Sequence, residues 1–315
     1  MKIAVFGGSG VVGRVLLERL VAAGHEVRAM VHQTPVEADG VETLQGDLTD
    51  PAAVARTVEG AEVALQMTKG GGGIIQAVET SVRGTLNVLD ALRKLDSLRQ
   101  YLLTSSDAAT GICAHPQPRP IDHQTSPKSY PGYYSLGKVL EEVIVGEYVR
   151  NYGLPATIAR LSWVQQEDSA LRLFVANERP GRGPFQEHYT AEQLARLEAG
   201  ERFVVLPVDD RGESLGRTLV HREDVISALT AMIGSDRAIG ETFPVSGPAF
   251  RYQDACAYLG EEMDLPVERV TVRGEYGFEI DYSHTTELLG WAPRYDVIAL
   301  LDAALTWREQ HPRQP

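Results

Sequence analysis

The sequence predicts an α/β fold, a parallel sheet whose strands are joined by crossover helices. Two observations predict it. Short apolar runs alternate with helical patterns through the first half of the chain, and a glycine-rich loop joins the first such run to the first helix.

The elements follow in order. Lys2–Phe6 is a compact strand. Residues 11–23 form a helix, with Val12, Val15, Leu16, Arg19 and Leu20 at helical spacing and Gly24 placed to end it. Residues 27–31, 42–45 and 61–67 supply the second, third and fourth strands. Between the last two lies a short helix, Pro51–Val58, with proline at its first turn. Residues 80–94 read as one long amphipathic helix, followed by a strand at 100–104. Residues 115–131 are proline-rich and read as a surface loop, leading to a helix at Tyr133–Tyr152 and a strand at 157–163.

Beyond Trp163 the alternation breaks down, and residues 165–216 are expected to build a separate cap. Residues 222–233 read as helix, Thr242–Val245 as extended and Tyr252–Met263 as helix. The four glycines at 70–73 are the sole low-complexity run, and such a run is expected to be mobile.

Bulk composition narrows the class. A chain of 315 residues with 43% hydrophobic content can bury a real core. A net charge of −13, with no block of Lys and Arg, argues against nucleic acid and anionic membrane as partners. Cys113 and Cys256 form no Cys-x-x-Cys pair, and no His cluster has ligand spacing, so neither a metal site nor a disulfide framework is expected. The start, residues 1–10, lacks the h-region of a signal peptide, and no apolar stretch approaches transmembrane length. The expectation is a cytoplasmic globular protein.

The loop Gly7-Gly8-Ser9-Gly10-Val11-Val12-Gly13 sits between the first strand and the first helix. Its glycines allow a tight turn, close approach of a pyrophosphate and close helix–strand contact, and the helix N-terminus offers free N–H groups to phosphate. The spacing is Gly-x-x-Gly-x-x-Gly rather than Gly-x-Gly-x-x-Gly, but its position at the first strand–helix turn makes it a dinucleotide signal. Gly7, Ser9, Gly10, Val11, Val12 and Gly13 are therefore expected against the cofactor. At the end of the second strand, Met30-Val31-His32-Gln33 offers no carboxylate for the ribose hydroxyls, Val31 standing where one is usual. Arg28 and His32 are the nearby cations, so NADP is expected to be slightly preferred over NAD. Asp47, with Leu48, ends the third strand where an adenine ring would lie, and Met67 ends the fourth.

Tyr134-Ser135-Leu136-Gly137-Lys138 places a phenol and an ammonium one turn apart on one helix face. The ammonium favours the phenolate, which suits proton exchange with a substrate oxygen. Ser106, after the strand at 100–104, is placed to hydrogen-bond that same oxygen.

With these motifs the sequence resembles the extended short-chain dehydrogenase/reductase superfamily, in its NAD-dependent epimerase/dehydratase family. The resemblance continues through Val82-Arg83-Gly84-Thr85-Leu86-Asn87-Val88, Thr104-Ser105-Ser106, Val220-His221-Arg222-Glu223-Asp224-Val225 and Leu288-Leu289-Gly290-Trp291-Ala292-Pro293. It implies a Rossmann-type doubly wound parallel sheet with a smaller C-terminal substrate-binding domain. Residues 1–163, joined by about 218–246, would bind the dinucleotide, and 164–315 would mainly bind substrate. It implies Ser106, Tyr134 and Lys138 as catalytic residues, with Tyr134 and Lys138 also against the cofactor, and often a homodimer through two helices, here 80–94 and 133–152.

Departures matter too. Arg160-Leu161-Ser162-Trp163 lacks the Asn that nucleotide-sugar enzymes often place there, and Gln66-Met67-Thr68-Lys69 replaces the usual nicotinamide-side wall. Asp107 is followed by Ala108, not the Glu of the sugar dehydratases, so elimination lacks its usual base, and Asp107 reads as a solvated loop carboxylate. Asp107, Trp163 and Arg217 are the substrate-side candidates, with Phe185 and Tyr189 as further lining. The expected activity is NAD(P)-dependent hydride transfer at a secondary alcohol or carbonyl of a small molecule. A sugar or nucleotide-sugar epimerase and a non-catalytic dinucleotide sensor or scaffold are the alternatives.

Overall fold

The computed structural model describes residues 1–36, 38–70 and 73–311. Strands β1 (Lys2–Phe6), β2 (Glu26–Val31), β3 (Val41–Gln45), β4 (Val63–Gln66), β5 (Gln100–Ser106) and β6 (Ala156–Leu161) alternate with helices α1 (Val11–Ala22) and α2 (Pro51–Val58). Between β4 and β5 lie α3 (Ile74–Val78), a π-helical stretch Glu79–Gly84, and α4 (Thr85–Leu92); α5 (Tyr133–Tyr152) precedes β6. The single helix expected at 80–94 is thus a composite that starts earlier and carries a wide turn. Gly84 within that turn packs so closely that a Cβ would stand 2.9 Å from Leu48.

Then come β7 (Trp163–Gln165), α6 (Ala191–Glu198), β8 (Val204–Val208), β9 (Gly216–Arg217), β10 (Leu219–His221), α7 (Arg222–Met232) and β11 (Thr242–Val245). The chain ends through β12 (Phe250–Arg251), α8 (Tyr252–Met263), β13 (Val267–Thr271), α9 (Ser283–Leu289) and α10 (Val297–Gln310). Seven strands form one parallel sheet in the order β11-β6-β5-β4-β1-β2-β3. From β1 the chain moves outward to β3, then returns to the other side of β1 as β4. That reversal opens a crevice at the strand C-termini between β1 and β4, where open α/β sheets bind ligands.

Both faces of the sheet are covered. Ile3, Val5, Val27, Ala29 and Val31 pack against Leu16, Leu17 and Leu20 of α1, while Ala4, Phe6 and Tyr101 pack against Val54, Val88 and Leu89 of the opposite layer. Strands buried on both faces read as continuous apolar runs, which is how β4 and β5 read. A second core lies beyond the sheet, where Phe174, Phe203, Val204, Val205, Tyr252, Leu259 and Leu301 pack around β8 paired with β13. The His221–Asp224 motif ties the later chain to α7. His221 accepts from the N–H of Glu223 and stacks on Tyr295 at 3.9 Å, and buried Asp224 accepts from the N–H groups of Arg294 and Tyr295, both at 3.1 Å. Among the described residues no helix is long and apolar enough to cross a membrane.

Candidate active site

The glycine loop sits on the crevice floor, and two of its glycines, Gly7 and Gly13, are required by different neighbours. Gly7 has φ +87°, and a Cβ there would lie 2.6 Å from the Met67 carbonyl oxygen. A Cβ on Gly13 would lie 2.7 Å from the Gly8 oxygen, so the first turn of α1 presses directly on the loop. Gly10 differs: a Cβ would meet nothing closer than the Gly7 oxygen at 3.6 Å. Nothing inside the protein demands that glycine, and the space it leaves opens on the crevice. Gly10 also caps α1 with no side-chain hydrogen bond, leaving the first N–H groups of the helix for an incoming anion.

A crevice of 890 Å³ runs from this loop past Met30, His32, Asp47, Leu48, Met67 and Thr68. Its walls therefore include Gly7, Ser9 and Gly10, while Val11, Val12 and Gly13 line the adjoining chamber. Such a trough of convergent N–H groups, a buried Leu48 and two polar termini fits an extended dinucleotide. Val31 turns instead into the core beneath α1 and does not line the crevice. Arg28 is spent elsewhere, on Glu42 at 2.7 Å and on the carbonyls of Arg56 and Glu59, while His32 lines this corner. Its Nε2 stands 3.1 Å from Asp47 Oδ2, both side chains being largely exposed. The N–H of Thr49 donates to Asp47 Oδ1 at 2.7 Å and holds that carboxyl below its usual range. Of the glycine run at 70–73, residues 71 and 72 lie outside the described residues.

A second chamber of 600 Å³ adjoins the first. It brings together Ser106, Asp107, Tyr134, Lys138 and Trp163 with Gly7, Gly10 and Met67. The three residues expected to act on substrate thus share one space with the glycine loop. Lys138 is buried, and its Nζ donates to the carbonyls of Thr68 (3.0 Å) and Thr104 (2.9 Å) and to Glu141 Oε2 (2.9 Å). Its Nζ lies 6.0 Å from the Tyr134 ring centre and that of Lys69 lies 5.3 Å from it, so two ammonium groups flank the phenol. Below them Arg160 forms a two-pronged bond to Glu142 at 2.8 and 3.0 Å, and Ser105 donates to the same carboxylate. This buried pair fixes α5 against β5 and β6, which sets the height of Tyr134 over the strand ends.

Asp107 departs from the sequence expectation. It is not a solvated loop carboxylate: it is 2% exposed, beneath the chamber floor. Burial pushes its carboxyl up to about 7, against the opposing hydrogen bond from Ser106. Ser106 Oγ donates to Asp107 Oδ1 at 3.0 Å and accepts the N–H of Ala108 at 3.1 Å.

The outer wall continues into a 500 Å³ recess lined by Tyr130, Trp163, Arg172, Phe185, Tyr252 and Glu275. Arg217 lies behind it, fully buried, donating to Glu275 at 2.7 Å and to the Tyr276 carbonyl at 2.6 Å, with its guanidinium 6.0 Å from the Trp163 ring. It therefore reaches substrate space only through Glu275 and Trp163. Of the residues open between lining and core, Phe185 lines the recess, whereas Tyr189 is packed in the second core, 5.8 Å from Phe203. Glu187, His188 and Glu275 bring three ligand-type atoms within 4.8 Å of one another, with Glu275 already committed to Arg217. Sequence reasoning missed Glu141. The available signal was its spacing, since 134, 138, 141 and 145 share one face of α5 and the carboxylate falls among buried positions.

Comparison with known proteins bears on this geometry. The model of the NAD dependent epimerase/dehydratase family matches residues 3–245. A 2-alkyl-3-oxoalkanoate reductase of Stenotrophomonas maltophilia is 30% identical over 58% of this chain and 57% of its own length. A dTDP-glucose 4,6-dehydratase of Mycolicibacterium smegmatis is 24% identical over 98% of this chain and 93% of its own. A short-chain dehydrogenase/reductase superfamily protein of Agrobacterium tumefaciens, solved with bound NAD, superposes with a TM-score of 0.87 at 21% identity, covering 99% of this chain and 98% of that one. The chain belongs to the NAD dependent epimerase/dehydratase family and is an NAD(P)-dependent enzyme of the extended short-chain dehydrogenase/reductase type.

Proposed function

We propose that Ser106, Tyr134 and Lys138 carry proton exchange for hydride transfer at a secondary alcohol or carbonyl of a small molecule. The observation that carries this reading is that all three line one chamber with Gly7 and Gly10. Tyr134 exchanges the proton with the substrate oxygen, Ser106 orients that oxygen, and Lys138 supplies the positive charge that favours the phenolate. A nicotinamide, when bound, supplies or accepts the hydride. Gly7, Ser9, Gly10, Val11, Val12 and Gly13 hold its pyrophosphate, His32, Asp47 and Leu48 its adenosine end, and Met67 its nicotinamide end. Trp163 and Asp107 border the substrate, and Arg217 supports that border from behind.

The division of labour follows the two cores: residues 1–163 with about 218–246 hold the dinucleotide, and 164–315 mainly hold substrate. NADP is slightly preferred over NAD, because the second strand ends in Met30-Val31-His32-Gln33 without a carboxylate and places His32 at the adenosine end. The protein works as a cytoplasmic homodimer, since adjacent helices expose Ile75, Val78, Leu86, Tyr133 and Val143. The test is a panel of hydroxyl and carbonyl substrates assayed with both cofactors at the reduced-nicotinamide absorbance band. Net oxidation or reduction of bulk cofactor supports the oxidoreductase. Product formed with no change in that band assigns an epimerase instead.

A further inference from the structure

The Tyr134–Lys138 pair has a third ionisable neighbour outside the Tyr-x-x-x-Lys spacing. Glu141 lies one turn beyond Lys138 on the buried face of α5 and is 0% exposed. An ammonium has three N–H bonds, and Glu141 with the carbonyls of Thr68 and Thr104 takes all three. The other carboxylate oxygen, Oε1, is buried without a hydrogen-bond partner. A half-satisfied buried carboxylate is a costly choice where an apolar residue would pack, as Val145 does one turn further on the same face. Stability alone does not account for it.

We infer that Glu141 is a positioning residue for proton transfer, the counter-ion that keeps Lys138 charged and drawn between Thr68 and Thr104 behind Tyr134. This rests on the reading of Tyr134 and Lys138 as the proton-exchanging pair, while the ion pair itself stands on the two side chains. Burial strips water from the ammonium and is the largest single influence, disfavouring its charge, yet the Lys138 proton affinity ends above its ordinary value because Glu141, by charge and hydrogen bond, together with Tyr134 and Glu142 offsets that loss. The other groups facing this corner act less directly. Glu142 on the same helix is engaged by Arg160 of β6, Tyr101 of β5 lies on the Glu141 side, and Lys69 Nζ stands 5.3 Å from the Tyr134 ring centre. Asp107 and Tyr130 border the same chamber. Among the described residues only Glu141 offers Nζ a charged acceptor within hydrogen-bond reach.

The sequence makes the test simple, because the chain has five lysines: Lys2, Lys69, Lys94, Lys128 and Lys138. Isotope-labelled lysine gives five Cε signals by NMR, and Lys138→Met assigns the one that matters. In the wild type Lys138 should be the last of the five to lose its proton as pH rises. Glu141→Gln should lower its midpoint by about one pH unit or more, and Glu141→Asp should recover much of that. The alkaline limb of turnover should move down with it in Glu141→Gln. An unchanged Lys138 midpoint in that variant overturns the inference. So does a wild-type Lys138 that titrates ahead of the surface lysines, a result that needs no variant to fold. If the Lys138 signal shifts while the pH profile of turnover stays fixed, the ion pair holds but the role in proton transfer is overturned.

Discussion

Ser106 donates its hydroxyl hydrogen to Asp107 across 3.0 Å, beneath the floor of the chamber that holds Tyr134. While Asp107 is ionised it claims that hydrogen. Once protonated it can donate to Ser106 Oγ and release the serine hydrogen toward a substrate oxygen. Asp107 titrates at about 7 in the fold against about 3.9 in an unfolded chain, so the folded state holds the extra proton between those limits. For a raised carboxyl the sign is destabilising: stability is lost as pH rises from about 4 through about 7, and is level above that. The expected loss is on the order of 4 kcal/mol. Asp107→Asn should remove it, so thermal melts of wild type and variant should converge near pH 4 and separate in the variant's favour by pH 8. Parallel melting curves across that range would show that Asp107 does not carry the proton.

Tyr134→Phe removes the phenol oxygen and little else, since among the described residues no hydrogen bond holds the Tyr134 hydroxyl and the residue is held by its helix. Turnover should fall on the order of a thousandfold, with dinucleotide affinity nearly unchanged. Steady-state rates paired with calorimetric titration of the cofactor check both halves.

The glycine loop gives two variants with opposite outcomes. Gly10→Val should fold normally, because its Cβ meets only the Gly7 oxygen at 3.6 Å, and should weaken dinucleotide binding at least about tenfold by filling the phosphate space. Gly13→Val places a Cβ 2.7 Å from the Gly8 oxygen and should cost about 1–3 kcal/mol or prevent folding. Melting temperature and cofactor titration separate the two. Equal cofactor affinity in Gly10→Val and wild type would mean that the loop is only structural.

Much of this was legible in the sequence, for a physical reason. The glycine loop and the strand–helix alternation are local signals, and each glycine fell at a strand end or helix start. What stayed hidden depends on distant partners. Asp107 looks solvated until the ends of β5 and β6 and the start of α5 pack around it. Tyr189 looks like lining until Phe203 packs beside it. The strand β13 and the helices α9 and α10 have no counterpart among the expected elements, although residues 288–293 at the end of α9 carry a family motif. Most strikingly short of local signal is β13, which is a strand because β8, some sixty residues earlier, pairs with it from Val267↔Val204 to Thr271↔Val208.

Exposed Val143 on α5 offers a test of assembly, being 52% exposed, with Tyr133 similarly bare at the start of the same helix. Val143→Glu places a charge on the face proposed to meet its copy, remote from the Lys138 side of the helix. Sedimentation should show a dimer for the wild type and a monomer for the variant at the same concentration. A wild type that sediments as a monomer sinks the assignment.

Cofactor choice turns on His32 and Asp47, whose charged atoms stand 3.1 Å apart at the open end of the crevice. A 2′-phosphate arriving there meets an imidazole that attracts it when protonated and a carboxylate that repels it. Arg28 cannot help, because Glu42 and two carbonyls already hold it. The NADP preference should therefore be mild, and should grow as pH falls, since a protonated imidazole attracts phosphate. His32→Ala should flatten that dependence. Asp47→Asn should remove the repulsion and favour NADP several-fold, on the order of 1 kcal/mol for one exposed charge. Val31→Asp is the wrong variant for this purpose, since Val31 faces the core and a carboxylate there would be buried. Dissociation constants for both cofactors at two pH values, for wild type and the two variants, decide the matter. A strong NAD preference that ignores pH and survives Asp47→Asn would show that neither side chain selects the cofactor.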